Sequence, residues 1–145
     1  MWELICTMGR MQFFIPSDHI PTAAKQQKSV AIKNGKPVIY NNASYDSACA
    51  WYESRLAQHR PSQPLEGPLQ LQVSFIYPAT KDHPHGTYKT TKPDTDNLIS
   101  GVKDTMQALG FFDDDCVVAR EITEKLYGDV SGIFFRITEL LPASR

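Results

Sequence analysis

The chain has 145 residues, 41% of them hydrophobic and 10% aromatic, which suits one domain (residues 1–145) with a real core and excludes a disordered chain. Its net charge of −1 argues, as a sum, against a nucleic-acid partner. No apolar run is long enough to cross a bilayer, and Met1–Pro16 lacks the pattern of a secretory signal, so a cytoplasmic protein with no membrane partner is expected.

Met11–Ile15 reads as a strand ending at Pro16. Ser29–Tyr40 reads as a hairpin, because a short apolar run on each side flanks the turn signal Asn34-Gly35. From Ser44 to His59 the spacing of Ala48, Tyr52 and Leu56 predicts an amphipathic helix that Pro61 stops. Arg60–Pro68 is a proline-rich connector. Leu69–Tyr77 alternates apolar and mostly polar residues and predicts a strand closed by Pro78. Ala79–Pro93 is a long polar loop, of the kind that more often carries function than not. Asp96 suits the N-cap of a helix over Asn97–Leu109, with Leu98, Ile99, Val102, Met106 and Leu109 on its buried face and Gly110 as its C-cap glycine. Val117–Tyr127 and Ile133–Leu140 then read as an antiparallel pair. The order predicts an α+β domain with a mixed β-sheet packed by two main helices.

Charge is unevenly spread. Residues 1–64 carry +3 and residues 65–145 carry −4, so an acidic half that approaches phosphate needs cations to neutralise it. A solvated surface gives the same asymmetry. Cys6, Cys49 and Cys116 have neither the number nor the spacing of a disulfide framework or a zinc site, and are expected as reduced thiols. His83 and His85 lack further ligands at suitable spacing and read as loop residues.

Acidic residues concentrate in Lys92–Asn97 (KPDTDN) and Phe111–Val118 (FFDDDCVV). Asp94 and Asp96 flank one residue where a loop becomes a helix, and Asp113, Asp114 and Asp115 lie beyond that helix. Taken singly, the first motif also serves as a helix cap and the second as a solvated turn. If the chain doubles back so that they meet, several anions share one volume, which is unfavourable unless a cation intervenes. Mg²⁺, a hard ion bound by one or two carboxylates, waters and phosphate, resolves that conflict.

At these residues the chain resembles the RusA family of Holliday junction resolvases. The likeness rests on Pro-Asp-x-Asp-Asn-Leu from Pro93 to Leu98, an amphipathic helix containing Asp104, then Gly110, two apolar residues and the pair Asp114-Asp115. Fainter similarity runs from the Lys36 region to Ile137. The resemblance implies a homodimer that binds four-way junction DNA and nicks two strands symmetrically in recombination and repair. It implies Asp94, Asp96 and Asp115 as catalytic, metal-binding aspartates for Mg²⁺, with Mn²⁺ as a substitute, and Asp114 as an alternative ligand. Two positions depart from the family pattern. Ser100 stands where a catalytically important lysine is usual, and Val117 stands where a glutamine is usual. Lys103, three residues after Ser100 on the same face, is the candidate replacement, although an ordinary solvent-facing lysine fits the position as well.

DNA contacts are expected from Lys25, Lys28, Lys33 and Lys36, and from Lys81, Lys89 and Lys92 beside the carboxylates; such phosphate contacts position a substrate without reading its sequence. Other readings stay open. A metal-dependent nuclease of flaps or single strands would use the same acids, and a junction-binding module of weak activity would account for Ser100. A purely structural chain would use the acids only as caps.

Overall fold

Residues 9–22, 28–41 and 43–140 are described by the computed structural model, so that Cys6 and Lys25 lie outside the described residues. Alternation along three strands decides where the core sits. Leu71, Val73 and Phe75 of β4 (Leu69–Pro78) align with Ile137, Phe135 and Ile133 of β6 (Gly132–Glu139), and these with Met11, Phe13 and Ile15 of β1 (Arg10–Pro16). All but Met11 are buried, and the rows form the sheet side of one apolar cluster. The other side of the cluster comes from Tyr52 and Leu56 of α1 (Ala43–Leu56) and from Leu98, Ile99, Val102 and Met106 of α2 (Thr95–Ala108). A short 3₁₀ turn, Ala57–His59, continues α1 up to the connector.

The main sheet has the order β1-β6-β4-β5, where β5 spans Val118–Gly128. β5 runs parallel to β4 and α2 forms the crossover between them; the other two pairings are antiparallel. The mixed sheet with two helices matches the sequence-based expectation. The expected antiparallel pairing of the last two strands does not occur. β6 lies instead between β1 and β4, and β5 takes the edge. Composition explains the exchange. The core-facing residues of β6 are wholly apolar, so it belongs between two neighbours. β5 places Glu121, Thr123 and Lys125 in the same rows, and charged strands are suited to an unpaired edge.

The hairpin forms as expected, with β2 (Lys28–Lys33) and β3 (Lys36–Asn41) in a two-stranded sheet of their own. Asn34 and Gly35 both have positive φ, as the tight turn between right-twisted strands requires. Phe14 and Phe134 are register partners on the sheet face away from the helices and remain half-buried. That face also carries side-chain pairs Gln12–Arg136 at 3.1 Å, Gln70–Arg120 at 3.1 Å and Ser74–Glu124 at 2.7 Å. Among the described residues no helix is long and apolar enough to cross a membrane.

Candidate active site

α2 carries the first acidic motif at one end and holds the second at the other. Its start is one residue pair earlier than the motif suggested. Asp94, extended at φ −71° and ψ 152°, occupies the N-cap, and Asp96 lies in the first turn. The expectation that Asp96 caps the helix is therefore corrected: Thr95 already has helical geometry, because the chain passes from the extended Asp94 directly into the first turn. Asp94 makes no side-chain cap hydrogen bond; its carbonyl accepts the Leu98 N–H at 3.2 Å. Both carboxylates are exposed, and among the described residues neither is in an ion pair.

The far end of α2 closes through Gly110. With φ of 81° this glycine donates to the carbonyl of Gln107 at 3.1 Å, and Phe111 donates to that of Met106 at 2.9 Å. This double bond pattern ends a helix cleanly and reverses the chain. Phe111 and Phe112 are then buried, which fixes the position of the three aspartates that follow. Asp114 caps a 3₁₀ turn, Asp115–Val117, its carboxylate accepting the Cys116 N–H at 2.9 Å. That bond holds the Asp114 carboxyl below its usual range. Asp115 is half-buried, and its N–H donates to Gln107 Oε1 at 3.0 Å.

The two motifs thus lie at opposite ends of one helix. Eleven residues separate Asp96 from Gln107, roughly 16 Å of helix. Among the described residues no three carboxylate, histidine or cysteine side chains gather closely enough to hold one ion. One chain therefore offers a carboxylate pair, Asp94 and Asp96, and a separate one, Asp114 and Asp115. The donor set still fits a hard divalent ion, which is commonly held by one or two carboxylates with waters and substrate phosphate completing its shell.

Asp96, Ser100, Lys103 and Gln107 line one flank of α2, and that flank faces β5. Ser100 Oγ is buried there without a hydrogen-bond partner among the described residues. Lys103 is not a free cation: its Nζ lies 2.9 Å from Glu121 Oε1. Lys125, which belongs to neither acidic motif, reaches the other end of the flank. Its Nζ donates to the carbonyl oxygens of Thr91 and Pro93, each at 2.7 Å, just ahead of Asp94. Only a strand-to-loop contact reveals it, since the partners are 34 and 32 positions apart in the sequence.

The loop Ala79–Pro93 is bound down at several points. His83 stacks on Tyr127 at 4.5 Å, and His85 Nδ1 accepts the Asp129 N–H at 2.9 Å. Lys89 Nζ lies over the Tyr77 and Tyr127 rings, at 4.9 and 5.5 Å from their centroids, and donates to Thr91 Oγ1 at 2.8 Å. Lys81 and Lys92 are exposed, as are Lys33 and Lys36 at the hairpin turn, and Lys28 is placed in β2.

A family model described as Endodeoxyribonuclease RusA matches residues 19–138. The chain is 27% identical over 133 residues to a protein of Lactococcus phage r1t named Crossover junction endodeoxyribonuclease rusA, covering 90% of this chain and 99% of that one. It is 29% identical over 121 residues to the uncharacterized protein YqaN of Bacillus subtilis (strain 168), covering 76% of this chain and 84% of that one.

Proposed function

Since the chain belongs to the RusA endodeoxyribonuclease family, we propose that it resolves Holliday junctions by paired nicks, as a Mg²⁺-dependent homodimer serving DNA recombination and repair. The observation that carries the reading is the pair Asp94 and Asp96. Both carboxylates stand exposed at the start of a helix whose preceding loop presents Lys81 and Lys92, so metal ligands and phosphate contacts adjoin. The likeness to the phage protein named as a crossover junction endodeoxyribonuclease supports the substrate.

Asp94 and Asp96 would hold the ion, with Mn²⁺ as a substitute for Mg²⁺. Bound there, the ion would supply Lewis acidity toward the scissile phosphate and a more acidic water. The loop and hairpin lysines neutralise phosphate and orient the duplex arms without reading sequence. Asp115 belongs to the same set but stands at the opposite end of α2, so a site using all three aspartates draws Asp94 and Asp96 from one protomer and Asp115 from its partner. A two-fold dimer then contains two such sites, matching the two strands to be cut.

The test is incubation of the purified chain with a labelled synthetic four-way junction and Mg²⁺, beside linear duplex and a flap, with light scattering for the oligomeric state. Symmetric paired nicks by a dimer are expected. Comparable cleavage of flaps or single strands by a monomer would favour a general metal-dependent nuclease, and tight junction binding without cleavage would favour a binding module.

A further inference from the structure

We infer that Lys125 is a positioning residue for Asp94, acting through the backbone of Thr91 and Pro93. This rests on the metal-dependent reading above. Lys125 terminates the buried row Ile15–Ile133–Phe75 at the sheet edge, so an apolar row fixes where its stem begins. Its ammonium holds the carbonyls of Thr91 and Pro93, both at 2.7 Å. Those two carbonyls bracket the last turn of chain before the helix. Thr91 is gripped from its other side as well, since its hydroxyl accepts from Lys89, whose ammonium rests on the Tyr77 and Tyr127 rings.

The Asp94 carboxylate makes no side-chain cap bond of its own, so its place is set by the backbone that carries it. An ammonium has three donors, and the two carbonyls occupy two of them. The other lysine of this flank, Lys103, is engaged by Glu121, roughly 10 Å of helix beyond Asp96. Lys125 is therefore the lysine of this flank that holds the backbone leading into α2.

The test uses the full-length chain. Lys125→Met keeps the apolar stem and removes the ammonium; Lys125→Arg keeps the charge. Mn²⁺ binding to metal-free protein is titrated by electron paramagnetic resonance, junction affinity is measured in EDTA, cleavage is measured in Mg²⁺, and thermal melting is followed. Lys125→Met should weaken Mn²⁺ binding by about tenfold or more, the scale of losing an outer partner of a metal ligand. Cleavage should fall with it and recover in part at high metal, while junction affinity in EDTA stays unchanged. Lys125→Arg should restore most of the Mn²⁺ affinity. A purely structural lysine would lower the melting temperature and leave the Mn²⁺ affinity of the folded fraction untouched, which overturns the inference. If Lys125→Met does not fold, Lys125→Gln is read by the same titration. A wild-type chain that binds no Mn²⁺ and cuts no junction overturns the metal-dependent reading and this inference together; a wild-type chain that binds it no better than folded Lys125→Met overturns the inference alone.

Discussion

Lys103 and Glu121 join the middle of α2 to the edge strand, with Nζ and Oε1 at 2.9 Å. Their side chains are 28% and 33% exposed, so the pair is neither a loose surface contact nor a buried one. A double-mutant cycle on Lys103→Met and Glu121→Gln should give a coupling of about 0.5 to 1 kcal/mol in chemical denaturation. Junction cleavage by Lys103→Met should stay within about tenfold of wild type. A loss of about a thousandfold, with Glu121→Gln unaffected, would return Lys103 to the chemistry as the substitute for the lysine missing at Ser100.

On the proposed reading, Asp94→Asn, Asp96→Asn and Asp115→Asn should each abolish cleavage while junction binding in EDTA holds or tightens, because each would remove an anion that faces phosphate. Their separation along α2 gives a sharper expectation. In a dimer whose sites are shared as proposed, Asp96→Asn and Asp115→Asn chains refolded together would form mixed dimers in which one composite site is intact and the other has lost both groups. Such mixtures should regain single-strand nicking that neither variant shows alone. No recovery, in mixtures shown to exchange subunits, would mean that each chain builds its site from its own residues.

Gly110→Ala should destabilise the chain by about 1 to 2 kcal/mol, since a side chain at φ of 81° crowds the following carbonyl. Open space surrounds the added methyl, so the cost is conformational and not a clash. The same turn sets the direction of Phe111, Phe112 and the three aspartates. Cleavage should therefore fall further than stability alone explains when both are measured well below the melting temperature.

His59 stacks on Phe13 at 4.3 Å, and desolvation there lowers its pKa from the ordinary 6.5. The unfolded chain then binds the proton more readily than the folded one. Stability is unaffected by this group above its unfolded value and is lost as the pH falls from there toward the folded value. The melting temperature should drop as the pH falls below His59's ordinary value of 6.5, beyond what the carboxylates cause. His59→Phe keeps the ring stack and should flatten that part of the profile; an unchanged slope would place the titrating group elsewhere.

Periodicity and punctuation in the sequence determined the elements. Leu69–Tyr77 alternates because one face is buried, Asn34-Gly35 turns because both residues accept positive φ, and Gly110 ends α2 because only that conformation returns the chain. The acidic motifs were legible too, since their residue types and spacing are local. Three matters depended on tertiary structure. The neighbours of β6 were settled by which strand could be buried between two others, and that is a competition among strands. The start of α2 at Thr95 turned on backbone geometry at Asp94, where two aspartates of equal propensity compete for one cap. The partners of Lys103 and Lys125 arise because β5 returns alongside α2, bringing Glu121 to the helix middle and Lys125 to Pro93. Local sequence fixes what a residue is able to do; the distance between residues far apart in the chain is fixed only when burial of the apolar rows chooses the strand order.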